Sequence, residues 1–148
     1  MCDDTKEYFS VSRWVLIGSS GDFTVTGRLE VRVVPKPWGH EVIWADTDLY
    51  VGKVLHIKAG HALSLQYHNM KDETIHLLSG QMIYRVKNAA GELRDVVLKV
   101  GDSYRNEPGT VHQMEAVTDC QVLEASTPHL EDVVRLTDRY GREGTSAP

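Results

Sequence analysis

With 148 residues, 41% of them apolar and 25% charged, the chain has the length and composition of one globular domain, which excludes both a disordered and a fibrous chain. Sixteen Lys and Arg against twenty-one Asp and Glu leave a formal charge of -5, and no basic run is dense enough to neutralise a phosphate backbone, so nucleic acid is not an expected partner. No stretch approaches the roughly 18 apolar residues of a membrane span, and Asp3, Asp4 and Glu7 stand where a secretory leader would be basic, so the expectation is no membrane and a cytoplasmic location.

In chain order, residues 1–28 read as an N-terminal arm with extra strands at Leu16-Ile17 and Phe23-Thr24-Val25, which need a packing surface and point to a homodimer. Residues 29–142 read as an all-β barrel. Short apolar runs at 30–34, 41–44, 50–57, 63–68, 74–78, 81–87, 94–100, 111–117 and 121–126 predict strands. The segments between them, among them Lys58-Ala59-Gly60, Ser79-Gly80 and Glu107-Pro108-Gly109, have turn chemistry. So many short strands predict a sandwich or barrel. One helical signal stands apart at 127–136, where Thr127 is a cap, Pro128 follows and acids fill the first turn, so a short C-terminal helix is expected there. Residues 143–148 read as a flexible tail. The two cysteines, Cys2 and Cys120, do not make a disulfide framework, and Cys120 reads as a buried structural thiol.

The chemistry concentrates at Gln66, His68, Glu73 and His112. Residues two apart on a strand share a face, so Gln66 and His68 project together. Glu73 shares its parity with Ile75 and Leu77, and His112 with Met114 and Ala116, which turns both toward an apolar interior. Converging inside a barrel, the four give an N2O2 set of two imidazoles, a carboxylate and an amide oxygen. That set suits one divalent ion, zinc first, with Fe, Mn, Co or Ni also compatible. His40, His56, His61, His76 and His129 fall outside this spacing, and His76 has the opposite parity to Glu73.

The pattern from Gly60 to Gly80, followed by Gly101 and by Glu107 to His112, resembles the two motifs of the cupin superfamily, with Gln66 where histidine is commonest. The resemblance covers residues 33–142 and implies a single-domain jelly-roll barrel. A sharper likeness is to the cupin domain of type II phosphomannose isomerases. It rests on Lys36-Pro37-Trp38-Gly39, on Ser64-Leu65-Gln66-Tyr67-His68, on Glu131-Asp132-Val133-Val134-Arg135 and on Asp138-Arg139-Tyr140-Gly141-Arg142. It implies that Gln66, His68, Glu73 and His112 are the metal ligands. It also implies catalytic or substrate-holding roles for Arg135 and Lys53, which match an arginine and a lysine of that family, with guanidinium suited to phosphate or carboxylate oxygens. Trp38 reads as packing under the first hairpin. The chain departs from the family at Asn69-Met70, at Glu107-Pro108 and at Ala116, which leaves the substrate open. The implied function is a metal-dependent sugar or sugar-phosphate isomerase or epimerase acting on a small molecule. The alternatives are an Fe(II) dioxygenase, a biosynthetic dehydratase and a non-catalytic binding module.

Overall fold

The computed structural model describes Gly27 and residues 29–145. Among these residues twelve strands form two six-stranded sheets: β1 (Arg32–Lys36), β2 (Gly39–Asp46), β3 (Val51–Ile57), β4 (Leu65–Tyr67), β5 (Glu73–Ser79), β6 (Met82–Lys87), β7 (Leu93–Leu98), β8 (Ser103–Asn106), β9 (His112–Ala116), β10 (Cys120–Ser126), β11 (Val134–Thr137) and β12 (Gly144–Thr145). The first sheet runs β1-β2-β3-β10-β5-β8 and the second β12-β11-β4-β9-β6-β7. All pairings are antiparallel, as in a double-sheet jelly roll.

Alternation in the sequence sets which face is buried. Ile75 and Leu77 of β5, Met114 and Ala116 of β9, and Cys120 and Val122 of β10 all point inward, where they meet Trp38, Leu55, Ile57, Met82 and Tyr84 in one core. Cys120 is buried there, its thiol 3.2 Å from the carbonyls of Gln81 and Thr118, and burial pushes its pKa up. It is a packed thiol rather than an activated one. The β5–β6 turn needs Gly80: its φ is +92° and a Cβ would come within 2.3 Å of the Asp119 carbonyl oxygen.

The expected helix at 127–136 does not form, and no helix occurs among the described residues. Thr127 does not cap one. Its hydroxyl accepts the N–H of Asp72, and its own N–H goes to the Asp72 carbonyl. Asp132, read as a first-turn acid, has its carboxylate bound to backbone N–H groups of the loop after β4. Val134–Thr137 then pairs with β4 as β11, because the β4 edge supplies a ladder that a ten-residue isolated helix cannot match. Strand β8 was not expected, and β12 lies within the stretch read as tail. Leu16-Ile17, Phe23-Thr24-Val25 and Cys2 lie outside the described residues. No helix among the described residues is long and apolar enough to cross a membrane.

Candidate metal centre

Three of the expected ligands meet between the sheets. Glu73 opens β5 of the first sheet and stands opposite Asn106 of β8. His112 opens β9 of the second sheet opposite Gln66, and His68 follows β4 directly. His68, Glu73 and His112 are each at most 2% exposed, and one ligand atom from each lies within 4.8 Å of the others.

The tautomers follow from what holds each ring. Nδ1 of His68 lies against the Asp132 carbonyl oxygen and Nδ1 of His112 lies 2.9 Å from the Thr110 carbonyl oxygen, so both Nδ1 atoms carry the proton and donate. In the neutral ring each Nε2 is then a bare lone pair. These atoms lie 3.5 Å and 3.0 Å from the two Glu73 oxygens, yet neither makes a hydrogen bond to a described residue. Two imidazole lone pairs and a carboxylate facing one another in a dry space repel unless a cation stands among them. Carbonyl-anchored Nδ1–H groups with inward Nε2 atoms are the arrangement that metal-binding histidines adopt, and the donor set fits one divalent ion.

Glu73 is held on both sides. Asn106 donates its Nδ2–H to Oε1 at 2.9 Å, and Lys71 donates to Oε2 at 2.5 Å. Burial works against the ionised carboxylate, but the Lys71 charge outweighs it and holds the group well below the usual range. Asn106 is itself oriented by the Tyr84 hydroxyl, which donates to its Oδ1. Gln66 lies half-buried on the cavity wall, its Oε1 accepting from the Ser64 hydroxyl at 2.6 Å.

Beside this centre lies a cavity of about 160 Å³ crossed by a buried ladder of charge. Lys36 lies 3.2 Å from Glu41; Lys53 lies 3.4 Å from Glu41 and 3.8 Å from Glu124; Lys71 lies 2.7 Å from Glu124 and 2.5 Å from Glu73. Lys53, one of the expected substrate-side residues, is thus buried between two carboxylates. For Lys71, burial alone would lower the pKa, but Glu124 and Glu73 outweigh it and keep the ammonium above the usual lysine range. Neither Lys71 nor Asn106 belongs to the ligand spacing of the sequence. The parity of Lys71 with Glu73 was a readable signal, whereas Asn106 reaches Glu73 only through the β5·β8 register.

Arg135 sits on β11 opposite Gln66 and lines the cavity, with its Nε buried and without a hydrogen-bond partner among the described residues. Its pKa is lowered, first by burial and then by the nearby charge of Arg142, with Asp138 opposing. Arg142, by contrast, is gripped by Asp138 through contacts of 2.8 and 2.9 Å. Trp38 belongs both to the core and to the cavity wall. His61, His76 and His129 are bound to Tyr140, Ser103 and Thr127 and take no part in the centre.

Among solved structures the chain is similar to CapF, the capsular polysaccharide assembling protein of Staphylococcus aureus (TM-score 0.63, 18% identity, 74% of this chain and 35% of that one). It is also similar to oxalate decarboxylase from Bacillus subtilis (TM-score 0.65, 14% identity, 74% and 31%) and to KdgF from Halomonas sp. (TM-score 0.56, 20% identity, 68% and 88%). It spans about a third of the length of CapF and of oxalate decarboxylase, and at these identities the likeness is one of fold. No curated protein matches it. Residues 53–126, half of the chain, match the family described as "Cupin domain", and with two antiparallel sheets around an inward His68, Glu73 and His112, the chain belongs to the cupin family.

Proposed function

We propose that this cupin is a metal-dependent isomerase or epimerase of a sugar or sugar phosphate, with Gln66, His68, Glu73 and His112 as ligands of one divalent ion. The observation that carries the reading is the pair of buried Nε2 lone pairs facing Glu73, with Arg135, unpaired among the described residues, on the wall of the adjoining cavity. Zinc suits this nitrogen and oxygen set best, with Fe, Mn, Co and Ni as alternatives, and when bound it would act as a Lewis acid on a substrate carbonyl. Arg135 binds the anionic group of the substrate, since it lines the cavity half-buried, with its Nε buried and without a carboxylate partner among the described residues. Lys53 is a positioning residue that fixes Glu41 and Glu124, and Leu55, Leu63 and Met114 shield the site from water. Hydroxyl groups of a sugar find alternating donors and acceptors along the lysine and glutamate ladder.

Metal analysis of the purified protein and its His112→Ala variant tests the centre, and interconversion of mannose 6-phosphate and fructose 6-phosphate, then of other aldose–ketose pairs, tests the reaction. The expected result is one ion at the His68, Glu73 and His112 centre, lost in His112→Ala, and turnover that falls roughly tenfold or more in Arg135→Ala with that ion retained, because a hydrogen bond to a charged group contributes about 1.5–3 kcal/mol. Metal-loaded protein inert on every such pair would replace isomerisation with another cupin reaction. Protein that takes up no ion would remove the metal itself.

A further inference from the structure

The outer face of the first sheet carries a second group of ligand-type side chains. His40 of β2 and His56 of β3 stand directly opposite each other, with stacked rings whose centroids are 4.3 Å apart and whose planes differ by 10°. Of the seven histidines in the chain, the other five each hold a hydrogen bond through Nδ1. His40 and His56 make none to a described residue, so each ring keeps a lone pair uncommitted.

A cavity of about 280 Å³ opens beside the two rings, and Asp119 and Gln121 line it with them. Gln121 is the residue opposite His56 on β10. One Asp119 oxygen accepts the N–H of Ala59 at 2.8 Å, which ties this wall of the cavity to the turn after β3. Lys58 lies on the same wall but is exposed, so its charge can swing into solvent.

We propose that His40 and His56 form a second, separate site for one nitrogen-preferring divalent transition ion (Cu, Ni or Zn), with water from the adjoining cavity completing the shell. Side chains directly opposite on antiparallel strands have Cβ atoms roughly 4.5–5.5 Å apart. Metal–imidazole bonds of about 2.0–2.1 Å then bring one nitrogen of each ring onto a shared ion after rotation about the soft outer side-chain torsion. The backbone beneath the pair is fixed: a Cβ at Gly39 would lie 1.9 Å from the His56 carbonyl oxygen, so β2 and β3 approach closely there, and the Lys58 N–H donates to the Trp38 carbonyl at 3.0 Å. Burial, and then the neighbouring His40, hold His56 below the usual histidine pKa, which favours its neutral, ligating form. Imidazole pairs select the late first-row ions over Mg and Ca.

The test is titration of the full chain with Cu(II), followed by calorimetry and by the nitrogen hyperfine pattern of the electron paramagnetic spectrum. His40→Ala and His56→Gln, both on the outer face of the sheet, should each lose one equivalent of copper with an unchanged far-ultraviolet dichroism spectrum, while His112→Ala should lose a different equivalent and retain this one. The two sites are thereby read separately, and failure of the barrel centre leaves this result intact. Copper stoichiometry identical in wild type, His40→Ala and His56→Gln would overturn the proposal. So would a bound copper that shows only one imidazole at this site.

Discussion

Asp132 holds His68 with its backbone and the loop that follows His68 with its side chain. Its carbonyl oxygen accepts the Nδ1–H of His68, while its carboxylate accepts backbone N–H groups of Asn69, Met70 and Lys71 at 3.0, 2.6 and 2.8 Å. Burial would raise the carboxyl pKa, but these N–H donors bring it down to about 2. Asp132→Ala frees the loop without removing any ligand atom. It should destabilise the fold by roughly 1–3 kcal/mol through unpaired loop N–H groups. It should also weaken divalent-ion binding by about 10- to 100-fold, as the loss of groups that orient ligands does elsewhere. Urea denaturation and an ion titration check both. An unchanged ion affinity would mean that His68 keeps its orientation without this clamp.

The direction of the Tyr84–Asn106–Glu73 chain makes its middle member sensitive to a near-isosteric change. Asn106 accepts from Tyr84 and donates to Glu73, so Asn106→Asp would keep the first contact and set two buried carboxylates against each other. The variant should lose several kcal/mol, in the range seen when a buried charge is left uncompensated. Tyr84→Phe should lose only about 1–3 kcal/mol, the penalty for one unsatisfied buried acceptor. Equal losses in chemical denaturation would argue that Glu73 does not sense Asn106.

The charge ladder predicts an order among its lysines. Lys71→Met leaves both Glu73 and Glu124 short of their nearest cation and should cost about 3–5 kcal/mol. Lys53→Met should cost less, because Glu41 keeps Lys36 and Glu124 keeps Lys71. Denaturation midpoints of the two variants give the comparison, and the reverse order would place the weight of the network at Lys53.

A pH dependence follows from Asp138. The Arg142 guanidinium and backbone N–H donors, working against burial, hold its carboxyl below the ordinary value of 3.8. A depressed folded-state pKa contributes stability that is present above the unfolded value and is lost as pH falls through the folded one. Asp138→Asn should therefore lower the melting temperature at neutral pH and flatten its decline on acidification below about pH 4. A parallel decline in wild type and variant would remove Asp138 from the acid limb.

Most of the barrel is legible in the sequence because period-two alternation is local. Glu73, Ile75 and Leu77, or His112, Met114 and Ala116, announce an inward face without any knowledge of their partners. What stayed hidden depends on pairing across long separations. The run Ser103–Asn106 has little apolar content, and only its register with Glu73–His76 makes it a strand and puts Asn106 on the carboxylate. The 127–136 stretch carries the local marks of a helix start, yet Asp72 and the loop after β4 take up its capping groups, so tertiary contacts override them. The centre shows the same division. His68, Glu73 and His112 follow from spacing and family likeness, whereas the full ladder from Lys36 to Lys71 appears only once β2, β3 and β10 lie side by side.

Glu73 belongs to one sheet and His112 to the other, with His68 tied between them by the Asp132 carbonyl. Any fluctuation that parts the two sheets therefore tears the ligand set before it unfolds either half. In an ion-loaded molecule the escape rate of the metal and the slowest amide exchange of β5 and β9 should then report a common opening event, so that the centre acts as a clasp on the barrel's breathing as well as a place for chemistry.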